Sequence, residues 1–152
     1  MENTVLTSIS KQFGSPIYVY DAEKMEHQYK RLTQAFQNVQ QLRINYAVKA
    51  LSNVNILSFM HSLGAGLDTV SIQEVKLGLS AGVPAQMIIF TPNGVSLEEI
   101  EEAATLGVQI NIDNLSLLEQ FGSKHPDVPV CIRINPHVMA GGNANISVGH
   151  ID

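Results

Sequence analysis

Lys49 closes the segment Ile44-Asn45-Tyr46-Ala47-Val48-Lys49-Ala50, so an amine stands where an apolar, alternating run comes to an end. A primary amine that sheds its proton condenses with aldehydes, and partial desolvation at a strand end makes an ammonium shed its proton more readily. A lysine in this place can also be an ordinary solvated residue closing a strand, and its surroundings decide between the two. Other reactive types recur where later apolar runs end: Asp68 and Thr69, Thr91 and Asn93, Asn111 and Asp113, Arg133 and Asn135. In parallel α/β folds ligands sit beyond the carboxyl ends of the strands, which would place a lysine, an aspartate and an arginine on one rim.

The elements that must hold these residues are regularly spaced. Apolar runs begin near Ile44, Leu67, Met87, Val108 and Val130, giving successive steps of 23, 20, 21 and 22 residues. Each step has room for a helix. Ser52 is the expected cap of a helix whose Ile56, Leu57, Met60 and Leu63 share a face, and Gly64 is its expected C′ residue. Ser71 with Glu74, and Ser96 with Glu99, match the capping box, and Gly82 and Gly107 mark the two exits. In the fourth unit Asp113 or Asn114 caps, Leu115, Leu117, Leu118 and Phe121 form the apolar set, and Gly122 is the expected stop. Ahead of the repeat, Ile17-Tyr18-Val19-Tyr20 is expected to be a strand. Asp21 follows as the cap of a helix carrying Met25, Tyr29, Leu32, Phe36 and Val39.

Helical crossovers of this length imply parallel strands, and the class is α/β. Two architectures accept the pattern, an open doubly wound sheet and a (β/α)8 barrel. A complete barrel takes about 250 residues. This chain has 152, so a barrel reading makes it part of one.

Composition narrows the function classes. The chain is 45% hydrophobic with a formal charge of -5, and its nine basic residues are scattered among fourteen acidic ones, which leaves no footprint for nucleic acid. No apolar run approaches the ~20 residues that cross a bilayer, and Met1-Glu2-Asn3-Thr4 lacks a signal-peptide pattern, so a cytoplasmic protein is expected. Cys131, the single cysteine, lies between Val130 and Ile132 and is expected to be a packed thiol. The histidines at 27, 61, 125, 137 and 150 show no metal-ligand spacing. Gly141-Gly142-Asn143 either turns the backbone near a phosphate or is an ordinary loop.

Four motifs in order resemble the diaminopimelate decarboxylases: Pro16-Ile17-Tyr18-Val19-Tyr20-Asp21, Tyr46-Ala47-Val48-Lys49-Ala50, Gly66-Leu67-Asp68-Thr69-Val70-Ser71-Ile72-Gln73-Glu74 and Arg133-Ile134-Asn135-Pro136. The second is shared with ornithine and arginine decarboxylases. The fourth, followed by the Gly-Gly segment and Ile146-Ser147-Val148-Gly149-His150, favours the diaminopimelate branch. Leu51 departs from the asparagine that commonly follows Lys-Ala in this family.

The resemblance implies a partial (β/α)8 barrel of the alanine-racemase type with about five parallel strands, preceded by a strand-helix unit. It also implies pyridoxal 5'-phosphate as cofactor. Lys49 matches the lysine that carries the cofactor, Ala47 a small residue lining it, Asp68 an acidic residue near it and Arg133 a basic residue beneath it. The implied reaction is loss of CO2 from meso-2,6-diaminopimelate to give lysine, by a homodimer in the complete protein. By the same resemblance, residues 1–152 form the leading part of the barrel domain. The glycine-rich phosphate site, the acidic partner of the pyridine nitrogen, the ring-stacking histidine and a second β-domain are then expected in sequence beyond Asp152, and the chain is expected to be inactive by itself. The alternatives are a related decarboxylase acting on ornithine or arginine, a pyridoxal-phosphate-binding barrel without turnover, and a doubly wound binding domain in which Lys49 is incidental.

Overall fold

The computed structural model describes residues 1–135. Gly141-Gly142-Asn143, Pro136, and the Ile146–His150 motif lie outside them. The chain divides into two compact units, residues 1–42 and 43–152.

The first unit contains α1 (Asn3–Phe13) and α2 (Ala22–Ala35). The carboxylate of Asp21 caps α2 as expected, accepting from the Lys24 N–H at 3.0 Å, and it also meets the N-terminal ammonium at 3.5 Å. That backbone bond is the main reason its pKa is lowered. Neither helix contains a fully buried residue, and Leu32, Phe36 and Val39 are exposed, the last two beyond the helix end. The expected strand at Ile17–Tyr20 is not formed. The segment pairs with no described strand, and without a ladder an extended run does not become a strand.

The second unit is the βα repeat. Five strands, β1 (Asn45–Ala47), β2 (Gly66–Thr69), β3 (Ile88–Phe90), β4 (Gln109–Ile112) and β5 (Val130–Ile132), form one all-parallel sheet in the order β1-β2-β3-β4-β5. The connecting helices are α3 (Val54–Ser62), α4 (Ile72–Ser80), α5 (Leu97–Thr105) and α6 (Leu115–Lys124). Successive helices pack on each other and onto β2, β3 and β4. A doubly wound sheet reverses strand order at a switch point. Here the order is strictly sequential, which is the arrangement of a barrel segment.

Strand alternation sorts the side chains into two faces. Leu67, Thr69, Ile88, Phe90, Ile110 and Ile112 are buried and pack with Leu57, Val75, Ile100, Ala103 and Phe121 of the helices. Residues of the opposite parity, Asn45, Ala47, Asp68, Ile89, Gln109 and Asn111, are only partly buried or exposed. That second, inner face corresponds to a barrel interior. Gly66 also belongs to it, and a Cβ there would lie 2.6 Å from the Met87 carbonyl and collide with the Asn45 amide oxygen. On the helical side Gly78 allows α4 to approach closely, since a Cβ there would lie 2.7 Å from Leu67 Cδ1 and 3.2 Å from Ile88 Cδ1.

Most helix signals hold, with local shifts. Asn53 rather than Ser52 caps α3, its Oδ1 accepting from Asn55 and Ile56 N–H at 3.0 and 3.4 Å. Ser96 and Glu99 form the reciprocal capping box at α5. At α4 the Ser71 hydroxyl accepts from Glu74 N–H, while the Glu74 carboxylate accepts from Val70 N–H at 2.8 Å instead of from Ser71. Asn114 caps α6, and Leu115 faces solvent rather than the core. Gly122 does not stop α6. The helix runs to Lys124 and ends before Pro126, whose ring disfavours helical conformation in the residue ahead of it. Cys131 is exposed on β5, an edge strand among the described residues, and Ile132 beside it on the opposite face is exposed as well.

Two predictions follow from this packing. Gly78→Val is expected to lower unfolding stability by about 1–3 kcal/mol through overpacking against Leu67 and Ile88, read from the denaturant midpoint at unchanged slope. The second concerns Glu101 of α5, which meets Lys124 at 3.0 Å and His125 at 3.2 Å on and just past α6. Hydrogen bonds from Lys124 and then His125 lower the Glu101 pKa below its ordinary 4.5. A depressed carboxylate pKa contributes stability above the unfolded value and loses it as pH falls through the folded one. The denaturant midpoints of the unmodified chain and of Glu101→Gln are therefore expected to differ above pH 4.5 and to converge below it.

Candidate active site

The rim residues named by the sequence meet the inner face in a definite order. Ala47 ends β1 on that face and pairs in register with Asp68 of β2. Lys49, two residues further on, lies in a single 3-10 turn (Val48–Ala50) that ends β1. Val48 beside it is fully buried and fastens the turn to the core. Lys49 itself is exposed, and among the described residues no hydrogen bond or ion pair engages its ammonium. The amine, the small residue and the carboxylate thus come from two adjacent strands.

Asp68 is held from the next two strands. The Thr91 hydroxyl, one residue past β3, donates to Asp68 Oδ1 at 2.9 Å, and Asn111 Nδ2 of β4 donates to Thr91 Oγ1 at 2.9 Å. The Thr91 N–H donates to the Thr69 carbonyl at 2.8 Å and extends the sheet by one bond beyond the strand. Asn111 Oδ1 is buried without a partner among the described residues.

Arg133 stands apart from this group. It follows β5, its N–H donates to the Ile112 carbonyl at 2.9 Å, and its side chain lines an open cleft of about 370 Å³ with Asn93, Asp113 and Asn135. Three strand spacings separate β2 from β5, a distance of roughly 14 Å in a flat sheet. The five strands therefore pair Ala47 with Asp68, with Lys49 following in the turn that ends β1, and they leave Arg133 on the far strand.

A second polar chain crosses the same face near the amino ends of the strands. Arg43 donates to the Gln86 carbonyl at 3.0 Å and to Gln109 Oε1 at 3.3 Å, and Gln109 Nε2 lies 3.3 Å from Cys131 Sγ. Sequence reading did not single out Arg43 or Gln109. Their signal was parity, since Arg43 keeps step with Asn45 and Ala47, and Gln109 with Asn111. The bonds that join Asp68, Thr91 and Asn111 had no sequence signal, because they depend on the register of three strands.

Comparison with known proteins places this geometry. Residues 22–152 match the family described as pyridoxal-dependent decarboxylase, pyridoxal binding domain. A diaminopimelate decarboxylase of Pseudomonas fluorescens is 35% identical over 97% of this chain and 37% of its own length. Among solved structures, the diaminopimelate decarboxylase of Helicobacter pylori complexed with L-lysine superposes with a TM-score of 0.83 at 32% identity, covering 95% of this chain and 38% of that one. The lysine/ornithine decarboxylase of Vibrio vulnificus complexed with putrescine gives a TM-score of 0.76 at 29% identity, over 86% and 36%. The chain spans little more than a third of the length of these relatives. With a match that takes in the whole βα repeat and every residue of the Lys49–Asp68 rim, the chain belongs to the pyridoxal-dependent decarboxylases, in their pyridoxal binding domain.

Proposed function

We propose that this chain is the leading part of the barrel domain of a diaminopimelate decarboxylase, which in its complete form releases CO2 from meso-2,6-diaminopimelate to give L-lysine. The observation that carries this reading is the pairing of Ala47 with Asp68 on the inner face of a barrel-type sheet, with Lys49 in the turn two residues past Ala47. Identity to diaminopimelate decarboxylases over nearly the whole chain supports the substrate.

The residues present suit pyridoxal 5'-phosphate. Lys49 offers a primary amine to its aldehyde, Ala47 leaves room beside the amine, Asp68 holds a carboxylate fixed by Thr91, and Arg133 offers a guanidinium to an anionic group. When bound, this cofactor supplies an electron-accepting ring for the pair left by a departing carboxylate. The chain's own residues bind and orient. Lys49 Nζ is the covalent anchor, and Val48 keeps it in place by packing into the core. Asp68 Oδ1 is committed to the Thr91 hydroxyl, so the carboxylate is held in one orientation. Holding reacting groups in one geometry is the protein's share of such a reaction.

The remaining roles belong to the rest of the protein. We assign the phosphate-binding glycines, the partner of the ring nitrogen and the substrate-recognising residues to the roughly two thirds of the relatives' length that this chain does not span. The complete protein is proposed to act as a homodimer in the cytoplasm. No helix among the described residues is long and apolar enough to cross a membrane, which accords with that location.

Borohydride reduction of the chain mixed with pyridoxal 5'-phosphate, followed by peptide mapping, tests the cofactor assignment. The pyridoxyl group is expected on Lys49 in preference to Lys11, Lys24, Lys30, Lys76 and Lys124, and even labelling of all six would overturn it. The 152-residue chain alone is expected to release no CO2 from meso-2,6-diaminopimelate. A chimera carrying it in place of the matching segment of the Pseudomonas fluorescens relative is expected to do so, with Lys49→Ala abolishing the release. A folded chimera without activity contradicts the proposal.

A further inference from the structure

We infer that Thr91 and Asn111 are positioning residues that act through Asp68 on the aldehyde chemistry of Lys49; this inference rests on the cofactor role proposed for Lys49. The three side chains come from β2, the residue after β3, and β4, and two bonds of 2.9 Å join them across the inner face. The chemistry of the groups sets the direction of both bonds. An ionised carboxylate only accepts, so the single hydroxyl proton of Thr91 goes to Asp68 Oδ1. The hydroxyl oxygen must then accept, and Asn111 turns its amide nitrogen toward it.

That orientation leaves Asn111 Oδ1 buried and unpaired among the described residues. A buried acceptor left unmade is costly, whereas replacing both partners by apolar groups of like shape is nearly neutral. What the polar pair provides instead is a fixed carboxylate. Oδ1 of Asp68 is occupied, no described residue donates to Oδ2, and the group lies opposite Ala47 in register, two residues before Lys49. Negative charge is thereby held one strand from the turn that carries Lys49, where it favours the cationic, condensed form of the nitrogen that borohydride reduces. Without Thr91 the carboxylate is free to rotate and supplies that charge in fewer of its orientations.

The test is the rate at which borohydride fixes pyridoxal 5'-phosphate on Lys49 of the 152-residue chain, with Lys76 and Lys124 as internal controls and far-UV circular dichroism to confirm folding. Thr91→Val is expected to slow labelling of Lys49 about tenfold, the size of one lost hydrogen bond to a charged group, and to leave the control lysines unchanged. Thr91→Ser keeps the hydroxyl and is expected to label like the unmodified chain. Asn111→Asp, close in shape but unable to donate when ionised, draws the hydroxyl proton away from Asp68 and is expected to slow Lys49 as well. It keeps the inference testable should the valine variant fail to fold. Asp68→Asn combined with Thr91→Val is expected to be no slower than Asp68→Asn alone, because both remove the same link. A merely structural threonine would give multiplying losses. Labelling of a folded Thr91→Val or Asn111→Asp chain at the unmodified rate, or multiplying losses in the double variant, overturns the inference while leaving the Lys49 assignment standing. Absence of preferential Lys49 labelling in the unmodified chain overturns that assignment, and the inference with it.

Discussion

The two-residue period of a parallel strand is the constraint on which the site depends. Each strand of the repeat gives one parity to the helices and the other to the inner face, and the in-register pairing of neighbours keeps the two sets apart across all five strands. Leu67, Ile88 and Ile110 can therefore be wholly buried while Asp68 and Asn111, each one residue along, remain available for polar contacts. A shift of one residue in the pairing would exchange the faces, turning Asp68 into the core and Leu67 toward the ligand. The apolar face thus fixes the polar one. Burial behind the sheet supplies the energy that holds a lysine, a small residue and a carboxylate in a set order on its front.

Close packing behind the sheet sharpens that control. Gly78 brings α4 near enough to β2 and β3 that a methyl group would crowd Leu67 and Ile88. At Gly66 the crowding is on the inner side, where the Asn45 amide and the Met87 carbonyl occupy the space of a side chain. Both glycines bear on β2, the strand that carries Asp68. The strand with the carboxylate is thus constrained from both faces. Its immediate neighbour β1 carries the lysine and gains its own anchor from Val48.

What could be read from the sequence follows from which interactions are local. Strand spacing was legible because each βα unit must return the chain to the same sheet, and the caps at Ser71 and Ser96 were legible because a cap needs only four residues. The same local logic went wrong where a neighbour outweighed it. Asn53 captured two backbone donors that were expected for Ser52, and Pro126 ended a helix that Gly122 was expected to end. Cys131 was misjudged for another reason. Apolar neighbours suggest a strand covered on both faces, but β5 stands at the edge of the described sheet, where Cys131 and Ile132 are both exposed. The strand expected at Ile17–Tyr20 had the right composition, but composition does not provide a partner.

The site divides along the same line. Ala47 and Asp68 belong to consecutive strands and one register pairs them, while Lys49 follows in the short turn that the buried Val48 fastens to the core. Thr91 and Asn111 extend that order by two more strands, each adding a single hydrogen bond, and for this reason the carboxylate can be positioned by sheet geometry alone. Arg133 obeys the same parity but lies three strand spacings from Asp68. A sheet can bring such a residue back across its own inner face only by curving, and the curvature that closes a barrel is shared among all its strands. The lysine end of the site is thus a property of neighbouring strands, whereas any contact between Arg133 and the same ligand is a property of the whole barrel.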